Sequence, residues 1–219
     1  MTFHILSVIP ESFGEYFNSS ILGRAVKNKK ISIKIHNIRK WATDKHKKVD
    51  DRPFGGGAGM VLKVDPIYKA VKSLKSCLPV GMAKVKNKKT RVILFSTRGK
   101  LFTEQEAKRL SKYNNLILIC GRYEGVDERV AQYIADEEIS VGNFVLSGGE
   151  IPAMIVVDSV SRFIPGVLGK QESLEGIKGS YPTYTRPEEF KVGKKIWKTP
   201  KVLLSGDHKK IEEWRQSRK

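Results

Sequence analysis

A chain of 219 residues has room for one large domain, or one domain with a small appendage, and its 40% hydrophobic content excludes a disordered polymer. Lysine and arginine total 41 against 23 acidic residues, a formal charge of +18. Either a polyanionic partner or a lysine-rich composition bias stands behind that excess. Cys77 and Cys120 are isolated and make no C-x-x-C, and the four histidines have no zinc spacing, so no metal is expected. The N-terminus lacks a signal peptide, and no apolar run reaches the roughly 18 residues that span a bilayer. A reduced, cytoplasmic protein without membrane contact is expected.

In chain order, apolar runs alternate with helical patterns, which predicts an α/β layer with a largely parallel sheet. Phe3 to Val8 reads as a buried strand, and Ile31 to His36 alternates as a half-exposed one. Asp65-Pro66 opens a helix with Ile67, Ala70, Val71 and Leu74 as its stripe. Arg91 to Ser96 is a strand, and Thr103 with Glu106 makes a capping box for a helix carrying Ala107 and Leu110. Asn115 to Cys120 is the most apolar strand. Asp127 starts a helix through Val130 and Tyr133, and Ser147-Gly-Gly-Glu150 leads into another with Met154, Val156 and Val160. The glycine-rich stretch 165–185 reads as a linker, and Asp207 caps a last helix on which Ile211 and Trp214 sit three apart.

Chemistry concentrates in loops. Gly121-Arg-Tyr-Glu-Gly125 and the run from Ser140 to Gly149 follow strands directly, yet neither is a P-loop or a dinucleotide fingerprint. Glycines there let a ligand approach main-chain groups, so a small ligand held without a phosphate cradle leads. Ser96-Thr-Arg-Gly99 would join these loops if the three strands are neighbours, because ligands sit beyond the carboxyl ends of parallel strands. Asp50 to Met60 carries four glycines in five positions among Lys45, His46, Lys47, Lys48 and Arg52. It is either a hairpin tip or a place where backbone meets phosphate or base. Tyr123 and Glu124 are ligand contacts, or a packed aromatic and a helix N-terminal charge. Arg162 complements a helix C-terminus or acts on substrate, and Glu172 is a solvated linker carboxylate or a base.

Six ordered segments resemble the bacterial tRNA (guanine-N1)-methyltransferases of the TrmD type, SPOUT class, over essentially the whole length. They are Asp50–Met60, Cys120–Arg129, Ser140–Glu150, Asp158–Leu168, Tyr184–Pro187 and Leu203–His208. The resemblance implies a SPOUT-type sheet with a C-terminal trefoil knot and a small α-helical C-terminal domain. The expected boundaries are 1–164 for the methyltransferase domain, 165–185 for the linker and 186–219 for a shortened tRNA-binding domain. It further implies a homodimer whose active sites lie between subunits.

The same resemblance implies S-adenosyl-L-methionine as methyl donor. The donor would be held by Gly121 and by Val141, Gly142, Asn143, Phe144, Val145 and Leu146, joined by Ser96, Gly99, Tyr123, Glu124, Gly125, Gly148 and Gly149. Guanine N1 carries a proton, so its methylation needs a base, and negative charge then builds on O6. Family position assigns these tasks to Glu172, where an aspartate is usual, and to Arg162. It assigns tRNA contacts to His46, Gly59 and Arg186, with the target base turned out of its stack. The expected reaction is at guanosine 37, immediately 3′ of the anticodon. The alternatives are a SPOUT enzyme for ribosomal RNA and a basic RNA-binding protein without catalysis.

Overall fold

A computed structural model of the chain describes residues 1–77, 89–168 and 181–218. The chain divides into two compact units, Met1–Leu168 and Gly169–Lys219. The first is a three-layer α/β unit. The five strands of its main sheet are all parallel: β1 (Thr2–Ser7), β2 (Ser32–Asn37), β5 (Thr90–Leu101), β6 (Asn115–Ile119) and β7 (Glu137–Ser140), in spatial order β2-β1-β6-β5-β7. A two-stranded antiparallel ladder, β3 (Asp50–Asp51) with β4 (Val61–Leu62), stands beside this sheet.

Period-two alternation sends each strand's side chains to two separate cores. Phe3, Ile5, Leu116, Leu118 and Ile93 face α1 (Gly14–Asn18), α2 (Ser20–Lys27), α4 (Glu104–Leu110) and α6 (Glu150–Ser161). Leu6, Ile117, Ile119, Val92 and Leu94 face α3 (Val64–Cys77) and α5 (Glu128–Tyr133), through Ile67, Ala70, Val71, Leu74 and Val130. β6 is buried at every position, as its unbroken apolar run requires of a strand covered on both faces. Each fully buried Leu, Ile or Phe here contributes roughly 1.5–3 kcal/mol.

Several sequence expectations shift in detail. The third helix begins at Val64, so Asp65 lies within its first turn and pairs with Lys69 at 3.0 Å. Thr103 caps α4 by accepting from the N–H of Glu106, but the Glu106 carboxylate turns instead to Lys100 and Arg109, at 2.7 and 2.6 Å. β5 does not end at Ser96. It pairs Phe95 with Ile139, leaves the sheet for four residues, and returns to pair Lys100 with the same Ile139. Gly99 makes the return possible: a Cβ there would lie 2.5 Å from the Ile139 nitrogen.

Among its described residues the second unit holds two helices, α7 (Lys201–Leu204) and α8 (His208–Gln216), the latter capped by Asp207. It also holds an antiparallel hairpin, β8 (Glu189–Val192) with β9 (Lys195–Lys198), which a purely helical reading passes over. Phe190, Val192, Lys195 and Trp197 fall on one face of that hairpin by alternation.

Candidate active site

β5, β6 and β7 are adjacent and parallel, so their carboxyl ends open at one edge of the sheet. There the three loops enclose a cavity of about 410 Å³. Its wall includes Ser96, Gly121, Tyr123, Glu124, Gly125, Val141, Gly142, Phe144, Val145, Leu146, Gly148 and Gly149, all singled out from sequence. Gly99 and Asn143 are not part of that wall. Gly99 is committed to the backbone of β7 instead.

The loops are laced together by their main chains. Gly149 donates its N–H to the Gly121 carbonyl at 2.9 Å, and Arg122 and Gly148 form an isolated antiparallel bridge. A Cβ on Gly149 would stand 2.6 Å from the Cα of Cys120. Tyr123 takes a φ of +61° and is half exposed, so it is no packed core aromatic. Glu124 is exposed and precedes the start of α5, so it is not a helix N-terminal charge.

The glycine-rich segment is the tip of the β3–β4 hairpin, and its far end is tied to the cavity's rim. The Glu124 N–H donates to the Met60 carbonyl and the Leu62 N–H to the Gly125 carbonyl, both at 3.0 Å. Gly59, at φ +79°, approaches Glu124 so closely that a Cβ would lie 2.5 Å from its Cγ. His46 is exposed on a neighbouring turn that Asp44 organises by accepting from the N–H groups of His46 and Lys48. Arg186 is exposed in the second unit.

Besides Glu124, charge in the cavity is carried by groups that sequence reading does not select. Arg98 donates to Glu128 at 2.7 Å and lies 3.6 Å from Glu138; the bond to Glu128 raises its pKa. Arg122 stands 3.4 Å from the buried Glu150, whose other oxygen accepts from the Ser7 hydroxyl at 2.7 Å. Burial, then Glu150, pushes the Cys120 thiol well above its ordinary range, so it is no nucleophile. Arg98 and Arg122 sit inside motifs already marked. Glu128 and Glu138 reach the cavity only through the placement of α5 and β7, which no local pattern announces.

Arg162 is the C-cap of α6, at the opposite end from Gly149. Twelve residues of helix separate the two ends, about 18 Å. Glu172 lies outside the described residues. No group of three or more His, Cys, Asp or Glu able to hold a metal ion occurs among the described residues. No helix among them is long and apolar enough to cross a membrane.

The sequence matches the family model described as tRNA (Guanine-1)-methyltransferase TrmD over residues 1–219. A tRNA (guanine-N(1)-)-methyltransferase of Clostridioides difficile is 47% identical, the match covering 99% of this chain and 91% of the relative. One from Dictyoglomus turgidum is 49% identical over 97% of this chain and 82% of its own. The crystal structure of tRNA (m1G37) methyltransferase from Aquifex aeolicus superposes with a TM-score of 0.79 at 39% identity, covering 98% of this chain and 87% of that one. With a family model spanning its full length and relatives near half identity, this chain belongs to the tRNA (guanine-1)-methyltransferase TrmD family.

Proposed function

We propose that the chain acts as its family does. It is a tRNA (guanine-N1)-methyltransferase, moving a methyl group from S-adenosyl-L-methionine to N1 of guanosine 37. The observation that carries the donor assignment is the cavity's charge. Three carboxylates, Glu124, Glu128 and Glu138, face it, while its two arginines are engaged with Glu128, Glu138 and Glu150. That wall suits a cationic sulfonium amino acid and disfavours a phosphate-bearing nucleotide. Its volume lies in the range of small-molecule sites, and Ile139, Leu146 and Pro152 supply an apolar surface for a flat base.

When bound, the donor supplies an electrophilic methyl; the chain's own residues do the rest. Main-chain groups of the loops at Gly121 and at Val141 to Leu146 orient the donor. Glu172 takes the proton from guanine N1, and Arg162 stabilises the negative charge growing on O6. His46, Gly59 and Arg186 contact the tRNA as the base turns outward. Residues 186–219 form the tRNA-binding domain beyond a linker at 165–185 and a catalytic domain at 1–164, and the enzyme works in the cytoplasm. Family membership supports a trefoil knot in this segment.

Two features support a homodimer. Arg162 stands a helix length of about 18 Å from its own chain's Gly149, too far for its side chain to serve that cavity. In addition, α6 leaves two large apolar side chains, Ile151 and Ile155, exposed one helical turn apart. A twofold axis crossing that stripe would run two α6 helices antiparallel and bring the partner's Arg162 toward this chain's cavity.

Methyl transfer from labelled donor to two transcripts of one tRNA, with guanosine or adenosine at position 37, tests the reaction. Label in the guanosine transcript alone is expected. Label in both rejects the site, and label in neither, with donor binding retained, turns the reading toward ribosomal RNA.

A further inference from the structure

The β8–β9 hairpin is exposed at all eight strand positions. Two-stranded ribbons are marginal by themselves, and this one carries large apolar side chains where solvent meets them. Phe190 and Trp197 stand directly opposite each other, ring centroids 5.9 Å apart and tilted by 38°. They are 53% and 60% exposed. Lys195 shares the face of the rings, Lys194 sits in the adjoining turn, and Lys191 lies on the hairpin's other face. Gly193, at φ +57°, closes with Lys194 the tight turn that sets Lys195 opposite Val192, on the ring-bearing face.

Flat rings bordered by ammonium groups are what unpaired nucleotides require: each base stacks on an aromatic face while its phosphates meet cations. An acidic protein would satisfy the lysines but leave no reason for two adjacent flat rings. The formal charge of +18 favours a polyanion over the chain as a whole. We infer that the Phe190–Trp197 face is a stacking platform for unpaired nucleotides of the substrate tRNA. This rests on the tRNA reading above and adds to it an element and a chemistry of binding.

The test uses the full chain. In Phe190→Ala/Trp197→Ala, KM and Kd for tRNA are expected to rise by roughly 5- to 150-fold, the span for loss of one stacked base. The turnover number and donor affinity should stay within about twofold. Trp197→Phe should keep most of the tRNA affinity while Trp197→Leu, equally apolar, should not. Lys191→Gln/Lys194→Gln/Lys195→Gln should flatten the salt dependence of binding by about 0.7 log units per log unit of salt for each phosphate no longer neutralised. That variant leaves the rings in place and covers the case in which the double alanine variant does not fold.

Unchanged tRNA affinity in the ring variants overturns the proposal. So does a shift in oligomeric state with tRNA affinity intact, which would make the face a protein contact. If the unsubstituted chain transfers no methyl to tRNA, the enzymatic reading fails alone, because direct tRNA binding by these variants still reads the platform.

Discussion

Gly149 holds the loop after β7 against the loop after β6 by donating its N–H to the Gly121 carbonyl at 2.9 Å. No side chain fits at Gly149, because a Cβ would press on the Cα of Cys120 at 2.6 Å. Gly149→Ala is therefore expected to cost about 1–3 kcal/mol, the usual penalty for overpacking. The two loops must part, so the stabilisation expected from saturating S-adenosylmethionine, the proposed donor, should shrink as well. Thermal unfolding with and without the donor measures both; an unshifted Tm would show that the loops close without this contact.

The catalytic assignment separates binding from chemistry. Glu172→Gln should leave donor affinity nearly intact and lower turnover by roughly two to four orders of magnitude, the span of a general base. Arg162→Ala should also lower turnover more than donor affinity. Single-turnover methyl transfer with calorimetric donor binding distinguishes these outcomes. Near-normal turnover of the glutamine variant would move the base elsewhere.

His4 gives the fold an acid limit. It is buried in β1 with Nδ1 3.1 Å from Nε2 of His36, the two rings stacked at 5.4 Å. Burial, then His36 and Lys34, lowers its pKa from 6.5 to about 4. The unfolded chain thus takes the proton first. Stability should fall as pH drops from 6.5 and level off below about 4 for this group. Urea unfolding of the parent and of His4→Leu across that window tests it: the variant's pH dependence should be shallower, and identical slopes would clear His4 of the role.

Arg109 bridges two carboxylates, lying 2.6 Å from both Glu106 and Glu137, and so ties α4 to β7. Both acids are largely shielded from water, so the pairing resists salt better than a surface bridge. Arg109→Leu should cost about 1–3 kcal/mol. In a unit of this size that is a Tm drop of about 2–4 °C per kcal/mol. Differential scanning at low and high salt would show a loss that persists at high salt; a loss that vanishes there would place the pair among surface bridges.

Much of this is legible in the order of residues alone. The alternation of Phe3, Ile5 and Leu6 and the unbroken run Leu116 to Ile119 follow from strands sandwiched between helices, so the parallel sheet can be read directly. The three glycine loops can be read because each follows such a run. Glu128 and Glu138 cannot, since their approach to the cavity depends on strand order and on where α5 and β7 land. The hairpin at Phe190 to Trp197 is open to a period-two reading around Gly193, but its lysines read equally well as a solvated helix face. The double use of Ile139 by β5 leaves no trace in sequence beyond Gly99 itself.

That double pairing fixes the loop at Ser96 in advance. Phe95 and Lys100 both stand opposite Ile139, so the four residues between them are pinned at each end to one rung of the sheet. A segment so constrained has already surrendered most of its conformational entropy on folding, before any ligand arrives. Its amides should exchange at nearly the same rate with the cavity empty or filled. This wall of the cavity is expected to act as a preformed template rather than a closing flap.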